Sequence, residues 1–375
     1  MVAFDHLDHE EQLKSTALIG QEDPQKKLEI YRFFQEIMGT PFRLQLAAYD
    51  YNAAFSAARA TFNEVRRIES LISSWRDNSE VGQLNHFAGQ KSVSISYETA
   101  WLICQSQRIS KLTHGVFDIT WASLKGLWNF KTQTIPNHDI LKKRLKVVGS
   151  QHIQLEIIDH NHKPIKCSDM NTLLPHPIWT KYTSNPPSEW SWTYQAKLGF
   201  HQSKVDFGGI AKGFAVDSAA RFLKRLGFKN FVVDGGGDML VSGRNLDESP
   251  WSVGVQHPRV DQIWGELWIP SEWAVVTSGD YERFFYYQNQ RYHHIIDLRT
   301  GYPAQGSVAM TVIANNAMLA DALATALFVL GPYEGIALAD SISGLEAICF
   351  TPTGEVIYSQ GAAIFSPKLP KRWRE

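Results

Sequence analysis

Apolar residues recur at helical spacing in the first third of the chain and predict two amphipathic helices. The first spans residues 51–73, where the spacing is carried by Phe55, Ala58, Phe62, Val65 and Ile72. The second spans residues 97–112 and ends before His114-Gly115, a pair typical of a helix C-terminus.

In the second half of the chain, short apolar runs alternate with helical patterns. The pattern predicts a strand at 203–207, then a glycine turn and a helix at 212–226 that ends at Gly227. A buried strand follows at 231–233. Alternating, aromatic-rich runs at 274–277, 283–288 and 292–296 predict antiparallel strands, with a turn at 288–290. A strand at 308–314 then leads into a helix at 316–330. This order predicts the α+β class.

The composition shifts at three places and divides the chain. Residues 1–28 are polar and are interpreted as an N-terminal extension, and residues 366–375 as a basic tail. Residues 159–190 are rich in His, Pro, Asn and Ser without a sustained period, which indicates a surface insertion. We therefore expect one domain at 29–365 that carries this insertion.

Charge and cysteine content exclude several classes of function. The chain has 37 Lys plus Arg against 38 Asp plus Glu, so nucleic acid is not expected as a partner. Cys104, Cys167 and Cys349 are far apart and are interpreted as ordinary thiols of a reducing compartment. The N-terminal residues lack the pattern of a secretion signal and no run is long enough to span a membrane, so we expect a cytoplasmic protein.

The segment VDFGGIAKGFAVD predicts a strand that enters a helix across Gly208 and Gly209. Glycines let a ligand approach the backbone, and the N–H groups at a helix start suit phosphate. Paired glycines at such a turn are equally often structural. The segment is neither a Walker A loop nor the dinucleotide fingerprint.

Asp321 and Thr325 are four residues apart and share one helix face. Their hard oxygen atoms suit Mg²⁺. The alternative is an Asp favoured by the helix dipole and a Thr bonded back to a carbonyl.

The segment from Arg291 to Pro303 contains His293-His294 and Asp297 before a turn closed by glycine and proline. An imidazole beside a carboxylate could serve general acid–base chemistry. A strand histidine bonded to a nearby carbonyl is an equally ordinary outcome.

The combination of these segments resembles one family, the FAD:protein FMN transferases, also called ApbE proteins. Its first three blocks are resembled by three stretches of this chain: Met38-Gly39-Thr40, residues 69–80 with Leu84-Asn85, and residues 115–120 with Leu127-Trp128. Five further stretches complete the series in order: DFGGIAKGFAVD, VDGGGDMLVSG, VTSGDYERFF, HHIIDLRTG and ADALATALFVLG. The resemblance implies antiparallel sheets flanked by helices, with the active site in a cleft between subdomains.

The resemblance also implies roles for individual residues. Mg²⁺ would be held by the main-chain carbonyl of Ala211 together with Asp321 and Thr325. His294 would be the catalytic residue, with Asp297 as a supporting carboxylate. The expected FAD contacts are Met38, Trp75, Val116, Phe117, Asp118, Asp206, Gly208, Phe214 and Ile295.

The implied activity is Mg²⁺-dependent cleavage of FAD and transfer of FMN, through its phosphate, to a threonine of an acceptor protein. Two alternatives stay open: an FAD pyrophosphatase that gives FMN and AMP, and a flavin carrier without catalysis. The sequence departs from the family at Trp75, where Tyr is usual, and at Leu298, where Pro is usual.

Overall fold

A computed structural model describes residues 27–159, 161, 163–164, 166–167, 192–366, 370 and 372–373. The predicted extension at 1–28 and the predicted insertion at 159–190 lie almost entirely outside these residues.

The strands of the described part are numbered in chain order. They are β1 (Glu29–Ile37), β2 (Thr40–Ala48), β3 (Val93–Ser94), β4 (Ile153–Ile158), β5 (Thr193–Leu198), β6 (Phe231–Gly235), β7 (Met239–Ser242), β8 (Trp251–Gln256), β9 (Ile263–Ile269), β10 (Trp273–Gly279), β11 (Phe284–Tyr287), β12 (Gln290–His293), β13 (Ile296–Asp297), β14 (Tyr302–Pro303), β15 (Ala309–Ala314), β16 (Leu345–Phe350) and β17 (Val356–Tyr358). The helices are α1 (Tyr51–Ile72), α2 (Glu80–His86), α3 (Tyr97–Leu112), α4 (His138–Leu145), α5 (Ala211–Arg225), α6 (Ala317–Leu330) and α7 (Pro332–Asp340).

Eight of the strands form a central sheet in the order β1-β2-β6-β7-β10-β15-β16-β17. Every neighbouring pair in it is antiparallel. Helices α1, α5, α6 and α7 contact one face of the sheet and enclose the larger hydrophobic core. The predicted α+β class with antiparallel sheets flanked by helices is confirmed.

The opposite face of the sheet is covered by the hairpin β8–β9 and by residues from the C-terminal end of the chain. A second hydrophobic core lies there, between Val275 and Ile313 on the sheet and Leu267 on the hairpin. Trp373, within the stretch predicted as a basic tail, is buried in this core, and its indole donates to the carbonyl of Thr351 at 2.8 Å. Alternate residues of β10 and β15 therefore face different cores.

Helix ends follow the capping residues in the sequence. Asn316 caps α6 by accepting from the N–H of Leu319, and Gly331 ends the helix with a φ of 87°, which favours glycine. The turn between β11 and β12 has positive φ at Gln288 and Asn289, as a tight hairpin turn requires.

Three expectations from the sequence were wrong. The strand predicted at 292–296 is interrupted, because β12 ends at His293 and β13 begins at Ile296. Residues 203–207 form no strand, because their backbone bonds go elsewhere: Val205 exchanges two hydrogen bonds with the side chain of Asn85, and Asp206 N–H donates to the carbonyl of Ile119.

The three cysteines are not all free thiols, because Cys104 on α3 and Cys167 form a disulfide and only Cys349 is free. These two residues are 63 positions apart in sequence, but the fold places their Cα atoms at 5.4 Å. Disulfides are typical of oxidising compartments, so the cysteines no longer support a cytoplasmic location. Within the described residues, no helix is both long and apolar enough to cross a membrane.

Candidate active site

The start of α5 lies against α6 at the centre of the candidate site. Asp321 on α6 accepts a hydrogen bond from the N–H of Gly213 at 3.0 Å. Gly213 is required at this contact, because a Cβ there would overlap the carbonyl group of Ala317. Asp321 is thereby fixed beside the glycine-rich segment.

Lys212 and Asp238 complete a buried charge cluster around Asp321. Lys212 Nζ lies 2.6 Å from Asp238 Oδ1, and Asp238 Oδ2 is buried without a hydrogen-bond partner among the described residues. Burial, and after it the charge of Asp321, raises the pKa of Asp238 well above its ordinary value. Burial lowers the pKa of Lys212, but the charges of Asp238 and Asp321 outweigh it and raise that pKa. The carboxyl group of Asp238 therefore favours a proton or an added cation.

Thr325 follows Asp321 by one helical turn and faces strand β10. Its hydroxyl lies 3.3 Å from the hydroxyl of Ser278. A Cβ at Gly209 would lie 3.5 Å from the same Thr325 oxygen, so the Gly209 backbone closely approaches this side chain. Ala211, predicted to offer its carbonyl, is the first residue of α5, and its N–H donates to Phe207. Gly209 is thus a second candidate for a main-chain oxygen at this place.

The two adjacent histidines have different surroundings. His293 is buried and uses both ring nitrogens: Nε2 lies 3.0 Å from the carbonyl of Ala304, and Nδ1 accepts from the N–H of Ile295. His294 Nδ1 is buried with no hydrogen-bond partner among the described residues. Burial, His293 and Arg283 lower the pKa of His294 to about 4, so its imidazole is neutral near pH 7. His294 is the histidine of the pair with an unused ring nitrogen.

Asp297 is engaged within its own turn. Both carboxylate oxygens accept from the guanidinium of Arg299, and Oδ1 also accepts from the Arg299 backbone N–H. Its carbonyl accepts from the N–H groups of Thr300 and Gly301. These bonds close the turn after β13, and the structure shows no hydrogen bond between Asp297 and His294.

Trp75, a predicted flavin contact, is exposed, with 80% of its surface accessible. It lies in the loop after α1, beside Ser74, whose hydroxyl donates to Asp206 Oδ2. Asp206 Oδ1 accepts from the N–H of Gly208 at 2.8 Å, and Lys125 Nζ lies 2.6 Å from Oδ2. The structure thus brings three predicted residues, Trp75, Asp206 and Gly208, into one connected group.

The other predicted flavin contacts are more enclosed. Phe214 packs against Trp101 in the larger core, and Asp118 accepts from Ser110, Thr120 and Ser150 and begins a short 3-10 helix at Ile119–Leu124. Val116, Phe117 and Ile295 are also buried. Met38 occupies the turn between β1 and β2 with a φ of 57°, and its N–H donates to Glu69.

Two open clefts border this region. One of about 580 Å³ is lined by Asp118 and by the Leu298-Arg299 pair, and one of about 430 Å³ by Asp297, Arg299 and Tyr302. Asp321, Thr325 and His294 line neither of these two. In the described part of the chain, no three His, Cys, Asp or Glu residues form a group that could hold a metal ion.

Sequence reasoning missed Lys125, Lys212, Asp238 and Ser278. Asp238 ends the glycine-rich run DGGGD, and Lys212 lies inside the quoted glycine segment, so both were in view. Ser278 lies inside the quoted stretch VTSGDYERFF, but its contact with Thr325 joins two segments far apart in sequence. Lys125 carries no spacing signal, because its contacts also join distant segments.

A family model, described as the ApbE family, matches residues 38–349. The chain belongs to the ApbE family. It is 27% identical over 344 residues to the FAD:protein FMN transferase of Vibrio cholerae, covering 89% of this chain and 91% of that protein. The FAD:protein FMN transferase of Haemophilus influenzae is also 27% identical, over 90% of this chain and 92% of its own length. ApbE membership and these relatives make the chain an enzyme of the transferase class.

Solved ApbE structures have the same fold. The ApbE protein of Thermotoga maritima is 28% identical with a TM-score of 0.74, covering 91% of this chain and all of that chain. The flavin transferase ApbE of Vibrio cholerae is 24% identical with a TM-score of 0.71, covering 90% of this chain and all of its own. The second likeness supports the fold alone.

Proposed function

We propose that this ApbE protein splits FAD and transfers the FMN half, through its phosphate, to a threonine of an acceptor protein. The observation that carries the proposal is the neutral imidazole of His294, with an unused ring nitrogen, in a chain whose relatives are named FAD:protein FMN transferases. Asp321 and Thr325, four residues apart on α6, support the same reading.

In the proposed reaction, the threonine hydroxyl oxygen attacks the phosphorus of the FMN half. A new P–O bond forms to the threonine, the P–O bond to the AMP half breaks, and AMP leaves with the bridging oxygen. The hydroxyl proton passes to His294. A neutral imidazole can accept that proton, whereas a protonated one cannot.

The residues beside Asp321 fit a magnesium ion. The unpartnered oxygen of Asp238 and the buried pair that it forms with Asp321 favour a cation, and hydroxyls of Thr325 and Ser278 add hard oxygen atoms. Asp321, Thr325 and a main-chain carbonyl of Gly209 or Ala211 would hold the ion. A bound Mg²⁺ would neutralise the charge that develops on the diphosphate oxygens.

Trp75 supplies an exposed indole for the flavin ring system. Its accessible face has the size and chemistry for stacking on an isoalloxazine, which contributes about 0.5–1.5 kcal/mol beyond burial of area. Without an acceptor, water would replace the threonine and the same residues would give FMN and AMP. A carrier that binds FAD without cleaving it would need neither the His294 base nor the acid pair.

Mass spectrometry of a threonine-bearing candidate acceptor, incubated with this protein, FAD and Mg²⁺, tests the proposal. We expect a mass gain equal to FMN on the acceptor, none on its Thr→Ala variant, and none with EDTA present. Release of FMN and AMP without labelling would establish the pyrophosphatase instead. Intact FAD bound to the protein would establish the carrier.

A further inference from the structure

Lys125 joins three segments that lie beside the exposed face of Trp75. Its ammonium lies 2.6 Å from Asp206 Oδ2 and 3.2 Å from the hydroxyl of Ser74. It also lies over two indoles, 4.9 Å from the ring centre of Trp75 and 5.0 Å from that of Trp121. One cation thus contacts the loop after α1, the 3-10 helix at Ile119–Leu124 and the segment before α5.

Trp75 depends on such contacts for its position, because most of its surface is exposed. Its backbone N–H donates to the Ser73 hydroxyl at 3.3 Å, which fixes the backbone and leaves the ring free to rotate. The ammonium of Lys125 attracts the negative face of the Trp75 ring through a cation–π interaction. Ser74, the residue before Trp75, is held by the same ammonium and by Asp206.

The ion pair with Asp206 holds the ammonium in place. Asp206 is buried, and its second oxygen is bonded to the N–H of Gly208, so the carboxylate is fixed on the glycine-rich segment. Lys125 directly follows the 3-10 helix, and its backbone N–H donates to the carbonyl of Ala122. Both ends of the ion pair are therefore anchored on well-packed segments, and Trp75 is positioned against them.

We propose that Lys125 is a positioning residue for flavin binding: it holds the Trp75 ring so that the opposite ring face is presented to the isoalloxazine of FAD. This inference rests on the proposed function, since it takes FAD as the ligand. A pre-positioned ring loses less conformational freedom on binding, so the effect belongs to FAD affinity and KM. The rate of the phosphorus chemistry depends on other residues.

A double-mutant cycle with Trp75 tests the proposal. Lys125→Met keeps the length of the side chain and removes its charge, and we expect it to raise the Kd for FAD roughly three- to tenfold, with kcat within twofold. In the Trp75→Ala background the same change should alter Kd by less than twofold, because the residue that it positions is gone. Lys125→Arg should restore most of the affinity.

Lys91→Met is the matched control, since Lys91 also places its ammonium over an aromatic ring, 3.9 Å from the centre of Phe87. It should leave Kd unchanged. The inference would be overturned if Lys125→Met changed the Kd for FAD equally with and without Trp75, or changed it in neither background, in a protein whose wild type binds FAD. A wild-type protein that binds no FAD would instead overturn the proposed function, and the inference with it.

Discussion

At the scale of single residues, the surroundings of His294 penalise its protonation. Burial lowers its pKa from 6.5 to about 4, so the folded pKa lies below that of the unfolded chain. A lowered pKa contributes stability that is complete above about pH 6.5 and is lost as the pH falls toward 4. Acid therefore destabilises the protein partly through this one side chain.

His294→Gln should reduce this acid sensitivity. Between pH 7 and pH 4.5 we expect the variant to lose less unfolding free energy than the wild type, by on the order of 2 kcal/mol. Chemical denaturation at several pH values measures the difference, with the exposed His138→Gln as control. Parallel loss in wild type and His294→Gln would show that the imidazole titrates normally.

Transfer activity should separate the two adjacent histidines. His294→Ala is expected to lower the rate of FMN transfer by about 10²–10⁴-fold while FAD still binds, the usual contribution of a general base. His293→Ala removes a ring with two hydrogen bonds, so it should lower the melting temperature and affect the rate mainly through folding. If His293→Ala alone loses activity below its melting temperature, the base is assigned to the wrong residue.

Sequence spacing can place residues that lie close together along one element. Asp321 and Thr325 share a helix face, as their spacing of four residues predicts. His293 ends β12 and His294 lies in the bend after it, so strand alternation alone does not place the second ring. Asp238 and Lys125 could not be placed by spacing, because each contacts partners that only the tertiary fold brings near. Asp297 was predicted beside the histidine, but its carboxylate is taken by Arg299, a competition that spacing does not reveal.

At the scale of elements, the contact between α5 and α6 positions the candidate metal residues. Gly213→Ala should force the helices apart, because its Cβ would meet the backbone of Ala317 and Met318. Overpacking of this kind costs about 1–3 kcal/mol, and here it also displaces Asp321. We expect lower stability and loss of FAD cleavage.

Gly265→Ala on β9 is the control for this change, since no atom lies within 4 Å of its added Cβ. Stability and FAD cleavage should both stay near wild type. Calorimetry together with a cleavage assay measures both quantities. Normal cleavage by Gly213→Ala would mean that the spacing of α5 and α6 does not set the geometry of the site.

The disulfide links α3 to residue 167 and closes a loop of 63 residues. Closing a loop of that length restricts the unfolded chain and stabilises the folded one by about 4 kcal/mol in the chain-entropy account. The double variant Cys104→Ser with Cys167→Ser should therefore melt at a lower temperature, and a reductant should lower only the wild-type value. Identical melting of wild type with and without reductant would indicate that the cysteines are reduced in solution.

Element prediction succeeded where local signals decide and failed where partners decide. The helix at 97–112 was predicted at its observed bounds, and the helix at 316–330 within one residue, since Asn316 and Gly331 mark its ends. The strand predicted at 203–207 does not form. Its apolar and polar residues do alternate, but its backbone hydrogen-bonds to the Asn85 side chain and to the carbonyl of Ile119 instead of to a neighbouring strand.

At the scale of the whole molecule, one sheet separates two cores, and the candidate site lies on the helical side. Leu267→Ala empties part of the second core and should destabilise the protein by about 2–5 kcal/mol with unchanged FAD affinity. Leu323→Ala, a fully buried leucine on α6 between Asp321 and Thr325, should reduce both stability and affinity. If Leu267→Ala and Leu323→Ala lowered the affinity for FAD equally, the sheet would transmit structural changes from one face to the other.

The second core could not be read from the sequence, because the runs that form it look like ordinary surface hairpins until their partners are known. Its separation from the site has a consequence for how the protein can change over generations. Substitutions in the second core can raise or lower the melting temperature without changing the residues of the candidate site. Directed evolution for a higher melting temperature should therefore select substitutions around Val275, Ile313 and Leu267, with catalytic activity unchanged.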